Sequence, residues 1–223
     1  QNFTQHLIAN NATYAYSVFA IDLDDDSDID VLSASNHDNK IAWYENNGNQ
    51  NFTEHIITTN AITAWDVHAI DMDGDQDIDV LSASAGDNKI AWYENNGNQN
   101  FTEHVVTTNA AYAHSVFPID IDFDNDIDVI SASMDDDKVS LHINNGNQEF
   151  SEYVVSDNAI KAFNAIAFDI DGDGDYDILS ASGGDNKIAW YENIFQGCTQ
   201  EESCNYNPMA EIDDNSCILL NEF

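Results

Sequence analysis

A repeat of 49 residues constrains this chain more than any other feature. The string DNKIAWYENNGNQNFTEH occupies 38–55 and recurs unchanged at 87–104. A Ser-Ala-Ser triplet falls at 33–35, 82–84, 131–133 and 180–182, and Asp-rich runs begin with the same step at Asp22, Asp71, Asp120 and Asp169. Four units without an insertion or deletion mean four copies of one supersecondary module. Such a module cannot bury its apolar face alone, so the copies must stack.

Within a unit the pattern alternates in short runs, predicting strands over 17–21, 30–35, 40–45 and 52–58 and their equivalents. Asn47-Gly48, Asn96-Gly97 and Asn145-Gly146 mark tight hairpins between the third and fourth strands. No unit carries an apolar 3.6-residue period long enough for a helix. The expected fold is therefore all-β: a β-propeller of four blades, each of four strands, over 1–195, followed by a small cysteine-bearing tail over 196–223. The fourth unit ends after Lys187–Asn193 without its fourth strand. The chain opens on Asn2-Phe3-Thr4-Gln5-His6-Leu7-Ile8, which matches Asn51-Phe52-Thr53-Glu54-His55-Ile56-Ile57. The N-terminal strand is thus expected to complete the last blade. Closure within one chain gives a four-bladed ring; closure between chains gives a swapped dimer, a larger ring or an open polymer. Pro118 stands where other units have Ala20, Ala69 and Ala167, which suits the free edge of an innermost strand.

Charge decides the partners. The chain has 42 acidic residues against five lysines, no arginine, and a formal net charge of −37. Nucleic acid is excluded, because its affinity rests on Lys and Arg neutralising phosphates, and anionic membrane surfaces are disfavoured. No apolar run approaches the roughly 18 residues of a membrane span. Disorder is disfavoured too, since 43% of residues are hydrophobic, enough to bury a core. What such a chain needs is a cation.

Each unit supplies five alternate aspartates to hold one. They are Asp22, Asp24, Asp26, Asp28 and Asp30; Asp71, Asp73, Asp75, Asp77 and Asp79; Asp120, Asp122, Asp124, Asp126 and Asp128; and Asp169, Asp171, Asp173, Asp175 and Asp177. Hard oxygen ligands in a tight loop suit Ca²⁺, about one ion per blade, better than Mg²⁺. Zinc and copper sites would draw on Cys and His. The side chains at loop positions 1, 3, 5 and 9 and the carbonyl at 7 are the expected ligands. Position 12 is Ser33, Ser82, Ser131 or Ser180, so this is no EF-hand.

The loops DMDGDQDIDVL and DIDGDGDYDIL, each followed by DNKIAWYENNG, resemble the FG-GAP/VCBS repeats of integrin-α-type propellers and of many secreted bacterial proteins. The resemblance spans 1–195. It implies one Ca²⁺ per loop on the rim between strands, and a secreted or cell-surface setting. The first loop has Asp25 and Ser27, and the third Phe123 and Asn125, where glycines are usual; weaker binding is expected there. The tail resembles the GCT…CNYNP…DDGSC modules that end secreted proteins of the Bacteroidetes group, implying export. Cys198, Cys204 and Cys217 are disulfide candidates of unassigned pairing, and their restriction to the tail fits an oxidising compartment. No signal peptide is seen before Gln1, as expected of a mature chain.

Four further sets of residues recur. Trp43, Trp92 and Trp190, with Tyr44, Tyr93 and Tyr191, are expected to pack between blades. Tyr16, Trp65, His114 and Phe163 share one position at the start of the innermost strand, beside Ser17, Asp66, Ser115 and Asn164. In a closed ring they surround one mouth, either as a site for a carbohydrate or protein ligand or as a plug of the axis. His6, His55 and His104, with Tyr153 in the following copy, are expected on strand surfaces. The sequons at Asn2, Asn11, Asn51 and Asn100 read as by-products of the NFT repeat and of chance. No nucleophile elbow, H-E-x-x-H or P-loop is present. The expected function is a secreted, calcium-binding, non-enzymatic adhesion or ligand-binding module. The alternatives are a subunit of a self-assembling extracellular fibre or sheath, cemented by calcium and strand exchange, and a glycan-binding lectin.

Overall fold

The computed structural model describes residues 1–194 and the strands at 196–197 and 212–213. Four repeated antiparallel sheets account for nearly all of its regular structure. The first joins β1 (Ala15–Ile21), β2 (Asp30–Ser35), β3 (Lys40–Asn46) and β4 (Phe52–Thr58) in that order. The second joins β5 (Ala64–Ile70), β6 (Asp79–Ser84), β7 (Lys89–Asn95) and β8 (Phe101–Thr107). The third is built from β9 (Ala113–Ile119), β10 (Asp128–Ser133), β11 (Lys138–Asn144) and β12 (Phe150–Ser156). The fourth holds three strands, β13 (Ala162–Phe168), β14 (Asp177–Ser182) and β15 (Lys187–Tyr191). Two short strands, β16 (Gln196–Gly197) and β17 (Ile212–Asp213), pair in parallel. Cys198, Cys204 and Cys217 lie outside the described residues.

Alternation places one side of each sheet on the next. β1 packs on β5, β5 on β9 and β9 on β13. Leu32, Ile41 and Trp43 of the first sheet meet Val67, Val80 and Tyr93 of the second. One repeat on, Leu81, Ile90 and Trp92 meet Val116 and Val129. Between the third and fourth sheets the same positions hold Ile130, Val139 and Leu141 against Ala165 and Ile178. The smaller Leu141, standing where its neighbours have Trp, leaves a cleft of about 480 Å³ there. Trp43 and Trp92 thus pack between sheets and are buried, whereas Trp190, expected to do the same, is 45% exposed because no further sheet among the described residues covers the last one. Pro118 pairs with Val129 on one side only, at the edge of its sheet, where its missing N–H costs no ladder bond.

Polar staples hold the strands of each sheet in register. Ser35 Oγ donates to Asp38 Oδ1 at 2.6 Å, and Asp38 and Glu54 flank the Lys40 ammonium at 3.5 and 2.7 Å. Ser84, Asp87, Lys89 and Glu103 repeat the arrangement. Each turn after a second strand also grips the next sheet: Thr63 N donates to Asn39 Oδ1 at 2.8 Å, and Tyr112 N to Asn88 Oδ1 at 2.9 Å. Asn39 and Asn88 hold a left-handed backbone (φ 55° and 58°), which Asn tolerates well.

The N-terminal segment departs from expectation. Residues 1–8 form no strand, Phe3 and Leu7 are 92% and 70% exposed, and among the described residues β15 pairs only with β14. Completion of the last sheet by this segment is not found. The residue pattern does specify a fourth-strand sequence at 2–8. Whether it reaches β15 depends on the angle between successive sheets, which no local pattern encodes.

Candidate functional site

The Asp loops connect the first and second strands of each sheet, and the backbone winds each into a carboxylate cluster. Asp22 accepts from Asp26 N at 3.2 Å and from Ser27 N at 2.9 Å, and Asp26 Oδ1 accepts from Asp28 N at 2.8 Å. Asp71 and Asp75 repeat this in the second loop, and Asp120 and Asp124 in the third. In the fourth, Asp169 accepts from Gly172 N, Asp171 from Asp173 N, and Asp173 from Asp175 N. These bonds close the loop and turn the remaining oxygens towards one another.

Ligand atoms of Asp22, Asp24 and Asp30 lie within 4.8 Å of one another, as do those of Asp71, Asp73 and Asp79, of Asp120, Asp122 and Asp128, and of Asp169, Asp171 and Asp173. Loop positions 1, 3 and 9 therefore converge in the first three units, and positions 1, 3 and 5 in the fourth. Position 9 is buried and doubly anchored. Asp30 accepts from Leu23 N at 3.2 Å and from Asn46 N at 2.7 Å, and Asp79, Asp128 and Asp177 do likewise. It ties the loop to the end of the third strand, a role its spacing alone does not announce. Asp28, Asp77 and Asp126, at position 7, sit against the hairpin glycines Gly48, Gly97 and Gly146, where a Cβ would collide with the carboxylate. These glycines also hold φ near 73–76°, so the Asn-Gly turn is fixed twice over.

The electrostatics of the clusters favour a cation. Burial pushes Asp79 up to about 7 and Asp128 up to about 6. Asp24, Asp73 and Asp122 are raised by burial and then by neighbouring carboxylates. Asp24 Oδ1 and both oxygens of Asp175 are buried without a hydrogen-bond partner, and burial raises Asp175 to about 6. A buried, unpaired carboxylate among others is costly unless it is protonated or a cation joins it. Oxygen-only donors of this kind suit a hard divalent ion.

A second constellation gathers where the inner strands begin. Tyr16, Trp65, His114 and Phe163, one from each sheet, line a single pocket of about 310 Å³ with Ser17, Asp66 and Asn164. Their rings follow one another at centroid distances of 4.0, 4.3 and 4.7 Å. Asp66 bolts three sheets together: it accepts from Ser17 Oγ at 2.7 Å, Val67 N at 3.0 Å and Val116 N at 3.1 Å. His114 Nδ1 bonds the Phe163 carbonyl at 2.8 Å, and burial holds its pKa below the usual range, so it is neutral near pH 7. Trp65 Nε1 and His114 Nε2 have no partner. Tyr16 and Phe163 are 51% and 40% exposed.

Of the histidines expected on strand surfaces, His6 lies in the segment that forms no strand, and His55 and His104 are more engaged than that. His55 and His104 stack on Trp43 and Trp92 at 4.6 and 4.5 Å and bond Glu45 and Glu94 at 2.8 and 2.7 Å. The signal for this was present, since His55 and Glu45 lie near each other across a hairpin.

The loop geometry and the repeat together define the class. The chain belongs to the FG-GAP-like repeat family, whose pattern matches residues 22–82, 71–131 and 120–180. No curated protein matches it significantly. Among solved structures, a mutant of AofleA from Arthrobotrys oligospora is similar at 14% identity and a TM-score of 0.51, over 80% of this chain and 53% of that one. The V. cholerae biofilm matrix protein Bap1 is similar at 16% identity and a TM-score of 0.47, over 86% of this chain and 33% of that one. This chain spans about half the length of the first and a third of the second. At such identities the likeness concerns the fold alone.

Proposed function

We propose that the chain is a calcium-braced, non-enzymatic ligand-binding module of the extracellular space, its sheets serving as blades of a β-propeller. The observation that carries this reading is the convergence of Tyr16, Trp65, His114 and Phe163 from four sheets on one pocket. A run of rings in contact, tilted, stacked and edge-on in turn, with an N–H and a ring nitrogen left without partners, suits a flat, partly apolar group bearing hydrogen-bonding atoms, such as a sugar ring or a peptide side chain. Calcium at the four Asp loops holds the strand connections still and offsets their mutual repulsion. Extracellular modules work with calcium sites of about 10⁻⁴–10⁻³ M, which millimolar calcium outside cells fills.

The test is a screen of the calcium-loaded protein against glycan and peptide arrays, with Trp65→Ala beside it. The expected result is a specific hit whose affinity falls at least tenfold in the variant, as for a central aromatic anchor. A hit insensitive to Trp65→Ala would move the binding surface elsewhere, and silence on both arrays would contradict the reading.

A further inference from the structure

Among the described residues the array of sheets ends in two partly uncovered faces, each one half of the interface that the interior repeats three times; on the first, Tyr44 is buried but Val18 is not. On the first sheet Val18 is 70% exposed, whereas its equivalents Val67, Val116 and Ala165 are 1%, 1% and 0% exposed. On the last sheet Ile188 is 80% and Trp190 45% exposed, while Ile41, Ile90 and Val139, and Trp43 and Trp92, are buried. Ile166 and Phe168 extend that last face, at 41% and 66%. Large apolar side chains left exposed together mark a surface that another surface covers.

At the same end the described sheet holds three strands where the others hold four. Among the described residues β15 has a free outer edge, and residues 2–8 carry a fourth-strand sequence that pairs with nothing. We infer that a second copy of this chain docks head to tail, laying its first sheet on the last sheet of its neighbour and its residues 3–9 along β15. The register follows from the repeat. Trp43 pairs with His55, Tyr44 with Glu54 and Glu45 with Thr53, so His6 of one copy falls opposite Trp190 of the next, Gln5 opposite Tyr191 and Thr4 opposite Glu192. His6 then stacks on Trp190 as His55 does on Trp43. One contact covers both apolar faces and caps the open edge. The same face cannot serve both partners, so the contact is heterologous and propagates unless the rotation closes a ring. This goes beyond ligand binding and does not depend on it.

Because Val18 and Ile188 are exposed, Val18→Lys and Ile188→Lys leave the fold of the single chain intact while placing a charge in the contact. Particle mass by light scattering in millimolar calcium reads the result. The wild-type chain is expected to exceed 24.8 kDa increasingly with concentration, and each variant alone to remain a monomer. Mixed one to one, the variants restore one intact interface between the good last face of Val18→Lys and the good first face of Ile188→Lys, so the mass doubles and stops there. A wild-type monomer at every concentration, as a ring closed in cis or a chain capped by its own tail would give, overturns the inference. So does assembly that the mixed variants fail to reproduce.

Discussion

Trp92→Ala is expected to destabilise the folded chain by about 3–5 kcal/mol, the range for removing a fully buried tryptophan from a packed interior. The residue is 0% exposed and sits in the interface between the second and third sheets with Leu81, Ile90, Val116 and Val129. It also supports the ring of His104 at 4.5 Å, so its loss frees the His104–Glu94 pair as well. For a domain of this size each kcal/mol lowers the melting temperature by about 2–4 °C, which puts the expected drop near 6–20 °C. The control is Trp190→Ala, at the same repeat position but on the uncovered face. In dilute monomer it should cost within about 1 kcal/mol. Equal losses at the two positions would mean that the interior stacking of sheets is not what holds the chain together.

Calcium removal is the second large effect. An ion that binds only the folded state adds RT ln(1 + [Ca]/Kd), about 1.4 kcal/mol per site at a tenfold excess over Kd. One such site moves the melting temperature of this chain by about 3–6 °C, and four move it further. The effect also has a pH signature. Asp79 and Asp128 have folded-state pKa values raised to about 7 and 6. The folded, metal-free chain therefore binds more protons than the unfolded one, and its stability falls as pH rises from about 4 through 7. With calcium bound the carboxylates are charged in both states of the comparison, so the chelator-induced drop should widen between pH 5 and 8. Differential scanning calorimetry in calcium and in chelator, across that range, reads both. Melting that ignores chelator at every pH would remove calcium from the account.

Much of this molecule was legible because the repeat says everything four times. The strands predicted over 30–35 and 52–58 match β2 and β4, and those over 17–21 and 40–45 fall short of β1 and β3 by two residues and one. The pattern of alternating aspartates identified the clusters, and the shared position of Tyr16, Trp65, His114 and Phe163 identified the pocket. Other features were hidden for physical reasons. Nothing in a D-x-D-x-D-x-D-x-D string distinguishes Asp30, which braces the third strand, from Asp28, which turns towards Gly48, because the distinction is made by backbone direction within the loop. The role of Asp66 as a bolt across three sheets needs partners 49 and 50 residues away in sequence. The unpaired segment 2–8 was misplaced because a strand sequence states what could pair, not what lies within reach.

The most direct test of the central claim is a count of bound calcium per chain, by native mass spectrometry of the protein exchanged from millimolar calcium. Four ions are expected, one for each Asp loop, falling to three when Asp71 and Asp73 are both replaced by Asn. A chain that carries no calcium, or whose count is unmoved by those substitutions, would contradict it.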